Sequence, residues 1–133
     1  MLKWPRRRPA AAEGRLSEVR QVAQRSFVEL QAAWDRADLA QLEACTTAPL
    51  MADLREQLAR RGGADNRTEI VGLQARLLAL DDLQEAQLAS VEFSGWVREA
   101  ADAQAAPFRE LWFLADVKGA GLGWRLAGVQ ALG

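Results

Sequence analysis

The chain has 133 residues, of which half are hydrophobic and 26% are charged, and its net charge is −1 at neutral pH. This length and composition predict one globular domain. The chain contains no histidine and no tyrosine, which excludes histidine-based triads, histidine general bases, histidine metal sites and tyrosine oxyanion donors.

Residues 1–14 are predicted to form a flexible basic arm, because Pro5, Pro9 and Gly14 discourage regular structure. Four cations against Glu13 give the arm a net charge of +3, and residues 15–133 then carry 13 basic and 17 acidic residues, or −4. One interpretation is contact with an anionic bilayer, where each cation contributes about 1 kcal/mol; the alternative is a solvated terminus. The membrane-contacting candidates are Lys3, Trp4, Arg6, Arg7 and Arg8.

Three helices are predicted to follow the arm. Apolar residues at spacings of three and four predict a helix from residue 16 or 17 to 36, with Phe27 and Trp34 in its buried stripe. These two aromatic residues belong either to the core or to the lining of a pocket between helix and sheet.

The second and third helices are predicted from their termini. Asp38 with Gln41 fits a capping box, and the short helix behind it should turn three residues inward: Leu39, Leu42 and Cys45. The third helix is expected to begin after Thr47, with Pro49 in its first turn, and to end at Gly62 and Gly63. Its predicted buried stripe contains Leu50 or Met51, Leu54 and Leu58.

Alternation of apolar and polar residues predicts four antiparallel strands at 68–80, 88–98, 107–117 and 122–131. In the first strand, one face should carry Val71, Leu73, Ala75, Leu77 and Ala79. Gly95 is expected to mark a bulge or bend in the second strand. The predicted fold class is therefore α+β, with three N-terminal helices packed on a curved four-stranded antiparallel sheet. This arrangement resembles the cone of the nuclear transport factor 2-like superfold.

Six short segments carry a family resemblance through their order and spacing: 30–36 (LQAAWDR), 60–63 (RRGG), 66–71 (NRTEIV), 91–95 (VEFSG), 108–114 (FRELWFL) and 123–130 (GWRLAGVQ). Together they resemble the C-terminal domain of mitochondrial import inner membrane translocase subunit 44 and its bacterial relatives. The resemblance covers about residues 16–131, so we expect a basic arm at 1–14 and a single domain of this family at 15–133. It implies a nuclear transport factor 2-like fold, an apolar cavity and association with an inner membrane.

The function expected from this resemblance is non-enzymatic binding at the periphery of a bacterial inner membrane, on its cytoplasmic face. The partners would be lipid or protein, with a link to protein translocation. We expect an anionic membrane surface or a membrane protein as partner, an apolar ligand, no nucleic acid, no metal and no cofactor. The chain would act as a monomer or a weak homodimer.

The pocket is predicted to be lined by Phe27, Trp34, Trp112 and Trp124, with Glu110 as its polar group. Alternation places Glu110 on the same strand face as Trp112. Glu110 would also be the general base if the chain were a proton-transfer enzyme of the same superfold, a chemistry that needs a buried carboxylate. A salt bridge from Glu110 to Arg98 or Arg125 is the structural alternative. A third functional alternative is assembly through the open face of the sheet.

Overall fold

The computed structural model describes residues 10–62, 67–99 and 103–132, with the backbone alone at 10–13. Its helices are α1 (Ala10–Asp35), α2 (Leu39–Cys45) and α3 (Ala48–Arg61), and its strands are β1 (Glu69–Asp82), β2 (Ala86–Arg98), β3 (Ala106–Val117) and β4 (Arg125–Ala131). The strands form one antiparallel sheet in the order β1-β2-β3-β4. This confirms the predicted α+β class, including the strand predicted at 68–80.

Helix α1 begins at Ala10, well before the expected start at residue 16 or 17. Gly14 therefore lies inside the helix, where glycine costs only about 1 kcal/mol relative to alanine. The five predicted membrane-contacting residues precede Ala10 and lie outside the described residues, as does Gly63. Among the described residues, no helix combines the length and the hydrophobicity needed to span a membrane.

Helix α2 begins with the predicted cap, and two of its three predicted inward residues, Leu42 and Cys45, lie in or against the core. The Gln41 backbone N–H donates to Asp38 Oδ1 at 3.1 Å, and this bond, together with Arg36, lowers the pKa of the Asp38 carboxyl. The Gln41 side chain points to Cys45 Sγ instead of returning to Asp38, so only half of the capping box forms. Leu42 is buried, but Leu39 is 42% exposed, and its predicted inward position is wrong.

Helix α3 has the predicted termini. Pro49 lies in its first turn, and Gly62 ends it in the left-handed conformation at φ 68°, with its N–H donating to Ala59 O. The segment before α3 also covers one edge of the sheet: Thr46 forms a parallel bridge with Leu126 of β4, and the Thr47 N–H donates to Leu126 O at 2.9 Å.

Two extra residues in β1 change which side chains face the core. Val71 lies between the pairs Ile70–Val97 and Gly72–Trp96, and Leu78 lies between the pairs Leu77–Val91 and Ala79–Ser90. Each extra residue is a β-bulge that shifts the alternation by one position. Val71 is therefore 50% exposed, so its predicted inward position is wrong. Beyond Leu78, Leu80 replaces Ala79 on the inner face.

The core lies between α1 and the inner face of the sheet, and aromatic rings form its centre. The Phe27 ring lies 4.6 Å from that of Phe93, 4.8 Å from that of Trp112 and 5.6 Å from that of Phe108, measured between centroids. Phe93 and Trp112 also meet edge to face at 5.2 Å. Offset and edge-to-face contacts of this kind add roughly 0.5–1.5 kcal/mol per pair beyond the burial of apolar area.

Candidate functional site

A cleft of about 500 Å³ lies beside the core, between α1, α3 and the inner face of β3 and β4. Its apolar lining includes Leu30, Trp34, Leu50, Leu54, Trp112 and Val129. Four polar side chains share the lining: Gln31, Asp53, Gln57 and Glu110. Ligand pockets typically combine apolar walls with a few polar groups and have volumes of about 300–1,000 Å³, so this cleft has the composition and size of a binding site.

The lining follows from the periodicity of each element. Leu30 and Trp34 are four residues apart and therefore share a face of α1, and Leu50 and Leu54 do the same on α3. On β3, alternation places Glu110 beside Trp112. On β4, an extra residue at Ala127, between the pairs Leu114–Leu126 and Phe113–Gly128, shifts the alternation. Val129 and Ala131 then line the cleft on the same side as Leu126.

Glu110 contacts an indole, not an arginine. The Trp112 Nε1–H donates to Glu110 Oε1 at 3.1 Å. The salt bridge considered from the sequence does not form in the described part of the chain, where Arg98 pairs with Glu69 at 2.8 Å and the buried Arg125 Nε has no hydrogen-bond partner. The bond to Trp112 orients a half-buried carboxylate beside an apolar wall, where it can accept a hydrogen bond from the polar end of a ligand.

Contacts from two neighbouring segments hold Trp34 and Gln31 in the wall of the cleft. The Arg61 guanidinium lies 5.3 Å from the centroid of the Trp34 ring, and Arg61 Nη1 donates to the Trp34 carbonyl at 3.0 Å. Gln31 Nε2 donates to Asp35 Oδ1 and to Thr68 Oγ1. The Thr68 N–H donates to Asp35 Oδ2 at 2.7 Å, so the end of α1 is joined to both α3 and the start of β1.

The structure brings together three of the five predicted pocket residues. Trp34, Trp112 and Glu110 line the cleft. Phe27 lies behind Trp112 in the aromatic core and is 2% exposed. Trp124 is half-buried against the core and is not among the residues that line the cleft.

Sequence reasoning missed several lining residues. Leu54 and either Leu50 or Met51 were expected to be buried. The spacing of four between Leu50 and Leu54 could have indicated that Asp53 and Gln57 share the same side of α3. Val129 carries no such signal, because its orientation depends on the bulge at Ala127.

Cys45 contributes no activated nucleophile, since burial, reinforced by the nearby Glu29 charge, raises the pKa of its thiol and favours the unreactive protonated form.

Two solved structures share this arrangement of helices and strands. One is the crystal structure of the intermembrane space region of chloroplast protein ARC6, with a TM-score of 0.58, 10% identity, and coverage of 85% of this chain and 95% of that chain. The other is a nuclear transport factor 2 (NTF2-like) superfamily protein from Salmonella enterica subsp. enterica serovar Typhimurium str. LT2, with a TM-score of 0.51 and 13% identity over 88% of this chain and 92% of that chain. At these identities the similarity shows the fold.

A search of curated proteins found no significant match. The sequence profile of one family, the Tim44-like domain, matches residues 15–131. This range contains α2, α3, all four strands and the whole of α1 except its first five residues. It also contains every residue that lines the cleft. The chain therefore belongs to the Tim44-like domain family.

Proposed function

We propose that this chain is a non-enzymatic binding domain at the periphery of a bacterial inner membrane, on its cytoplasmic face, and that its cleft takes the apolar part of a lipid. The family is non-catalytic and associated with membranes and protein translocation. The observation that carries the proposal is the cleft itself, with Trp34, Trp112 and leucine side chains in its walls and the Glu110 carboxylate beside them.

The size of the cleft is sufficient for useful affinity. Burial of one methylene contributes about 0.8 kcal/mol, so about eight methylenes of an acyl chain would contribute about 6 kcal/mol. That free energy corresponds to a dissociation constant of some tens of micromolar, before the cost of immobilising the chain. A domain that meets its ligand at a bilayer surface needs no higher affinity, because the local lipid concentration is high.

Filling the cleft should weaken acyl-chain binding strongly. Ala131 lines the cleft and pairs with Glu110, so Ala131→Phe should place a ring in the space that an acyl chain would occupy. The measurement is titration with a palmitate that carries a fluorescent anthroyloxy group. We expect at least about a tenfold loss of affinity, which is 1.4 kcal/mol.

The neighbouring substitution Gln130→Phe is the matched control. Gln130 pairs with Leu111 and lies on the outer face of the same strand, so this variant adds the same ring outside the cleft and should bind as the wild type does. Equal affinity of both variants and the wild type would contradict lipid binding in the cleft, as would the absence of probe binding to the wild-type chain.

The basic arm should contribute a separate, salt-dependent attraction to anionic vesicles. Lys3, Arg6, Arg7 and Arg8 lie outside the described residues, and this expectation rests on their charges. Replacing all four by alanine should abolish flotation with phosphatidylglycerol vesicles at low salt. Wild-type flotation should weaken as salt rises, because exposed charges are screened beyond about 8 Å at physiological ionic strength. Binding that survives the four substitutions, or that is equal on phosphatidylcholine vesicles, would contradict a role for the arm.

A further inference from the structure

The two edges of the sheet differ. The edge of β4 is covered by the Thr46 bridge and by the Thr47 N–H bond to Leu126. Strand β1 is the other edge of the sheet, and within the described ranges it pairs only with β2. The outward N–H and C=O groups of β1 therefore form an unused hydrogen-bonding edge along one of the longest strands of the sheet, and such an edge is a template for pairing with another chain.

Two adjoining concavities, of about 670 and 600 Å³, lie at this edge between β1 and α1 and meet at Arg20, Ala75 and Arg76; the second also reaches Glu92 and Ser94 of β2. Together we call them the β1 groove. Every residue from Leu73 to Leu80 lines it. Successive side chains of a strand point to opposite faces, so a groove lined by consecutive residues of β1 includes the backbone edge of that strand. An extended segment in the groove would meet the backbone of β1.

The β1 groove has apolar walls and an excess of positive charge, because three arginines and one acidic residue, Glu92, line it. Arg15, Arg20 and Arg76 line it together with Leu16, Leu77 and Leu80. Arg15 is bonded to the neutral side chain of Gln87, and Arg76 is paired with Glu92 at 3.3 Å. Arg20 is exposed and forms no ion pair within the part of the chain that the structure describes. The charge of the groove therefore favours an occupant with acidic side chains.

We propose that an extended segment of a partner protein, with alternating acidic and apolar side chains, adds to the edge of β1 as a fifth strand. Main-chain hydrogen bonds would supply affinity, and the groove would select the side chains. This site is separate from the cleft, and the proposal does not depend on lipid binding there. The bulges at Val71 and Leu78 confine regular pairing to the residues between them, which suits a short segment.

Two other occupants of this edge are disfavoured by charge. A second copy of the chain pairing through its own β1 would bring together Arg15, Arg20 and Arg76 of both molecules. Residues 1–9 of the chain carry four cations and would be repelled by the same arginines. Like charges in such close contact weaken binding and exclude wrong partners.

The test uses a fluorescently labelled peptide of four Glu-Val repeats with capped ends, and the corresponding Lys-Val peptide, with the full chain. Fluorescence anisotropy should show binding of the Glu-Val peptide and none of the Lys-Val peptide. Arg20→Glu should weaken binding by about five- to tenfold, the size expected for reversing one exposed charge. Arg25→Glu makes the same charge change on α1 but outside the groove, and it should change affinity by less than about twofold.

Backbone pairing has its own signature in this assay. In a paired strand, N–H groups alternate between the partner and solvent. The peptide is therefore N-methylated either at all its glutamates or at all its valines. One of these two patterns should abolish binding, and the other should leave it intact. This comparison uses the wild-type chain and stays decisive if Arg20→Glu fails to fold.

Three results would overturn the proposal. The first is equal binding of the two N-methylated peptides. That result would show that the peptide is held by its charge alone, for example by the basic arm, and not by backbone pairing. The second is equal binding by Arg20→Glu and Arg25→Glu. The third is the absence of binding of the Glu-Val peptide to the wild-type chain. If sedimentation then detects a dimer that Arg20→Glu strengthens, the occupant of the edge is a second copy of the chain.

Discussion

Replacing Phe27 by alanine is expected to lower the free energy of unfolding by about 3–5 kcal/mol, the usual cost of deleting a buried aromatic ring. Its ring contacts those of Phe93, Phe108 and Trp112, and the side chain is 2% exposed. These three partners lie on two strands, so the cavity would open where α1 meets the centre of the sheet. Because small domains are stable by only about 5–15 kcal/mol, the variant should have lost much of its stability.

The measurement is urea unfolding followed by far-UV circular dichroism. Val28→Ala is the matched control, because Val28 is the next residue of α1 and is 49% exposed, so its loss should cost less than about 0.5 kcal/mol. A loss below about 1.5 kcal/mol for Phe27→Ala would mean that the site relaxes around the missing ring. Such a result would place Phe27 in an adaptable pocket wall and not in a filled core.

The substitution Gly95→Ala should destabilise the chain by about 3 kcal/mol or more, at or above the upper end of the usual cost of overpacking. A Cβ placed on Gly95 would lie 1.8 Å from the Gly72 carbonyl oxygen and 2.7 Å from its carbon. Both atoms belong to the backbone of the facing strand, so no side-chain rotation can relieve the clash. The contact can be avoided only if β1 and β2 separate beside the bulge at Val71.

Gly72→Ala tests the same pair of strands from the other side. A Cβ on Gly72 would meet nothing within 4 Å, so the free energy of unfolding of this variant should lie within about 1 kcal/mol of the wild-type value. The two glycine variants are compared by their midpoints and slopes in urea. Equal stability of the two would contradict the close approach of the strands at Gly95.

The irregularity expected at Gly95 therefore has a different form in the structure. The extra residue is Val71, on the facing strand, whereas Gly95 remains paired with Leu73. A glycine inside a strand pattern indicates that something unusual happens nearby. Local sequence cannot distinguish a bulge in that strand from a close approach by its neighbour.

Most of the secondary structure could be predicted from local patterns. The stripe of α1, the Asp38 cap, Pro49 and Gly62 at the ends of α3, and the alternation of β3 depend on residues a few positions apart. Neighbours of that kind behave alike in many tertiary settings. For the same reason, the sequence alone correctly placed Glu110 and Trp112 on one strand face, and Trp34 in the buried stripe of α1.

Tertiary structure decided the features that depend on distant residues. The bulges at Val71, Leu78 and Ala127 arise from pairing between strands, and each one reverses the facing of the residues beyond it. The same pairing brings β4 beside Glu110, packs α3 opposite Trp112, and leaves the outer edge of β1 without a neighbouring strand among the described residues. The sequence by itself therefore determined the elements, their order and the family of this protein. Its cleft and its open edge were decided only when those elements packed, because packing joins residues whose separation along the chain carries no periodic signal.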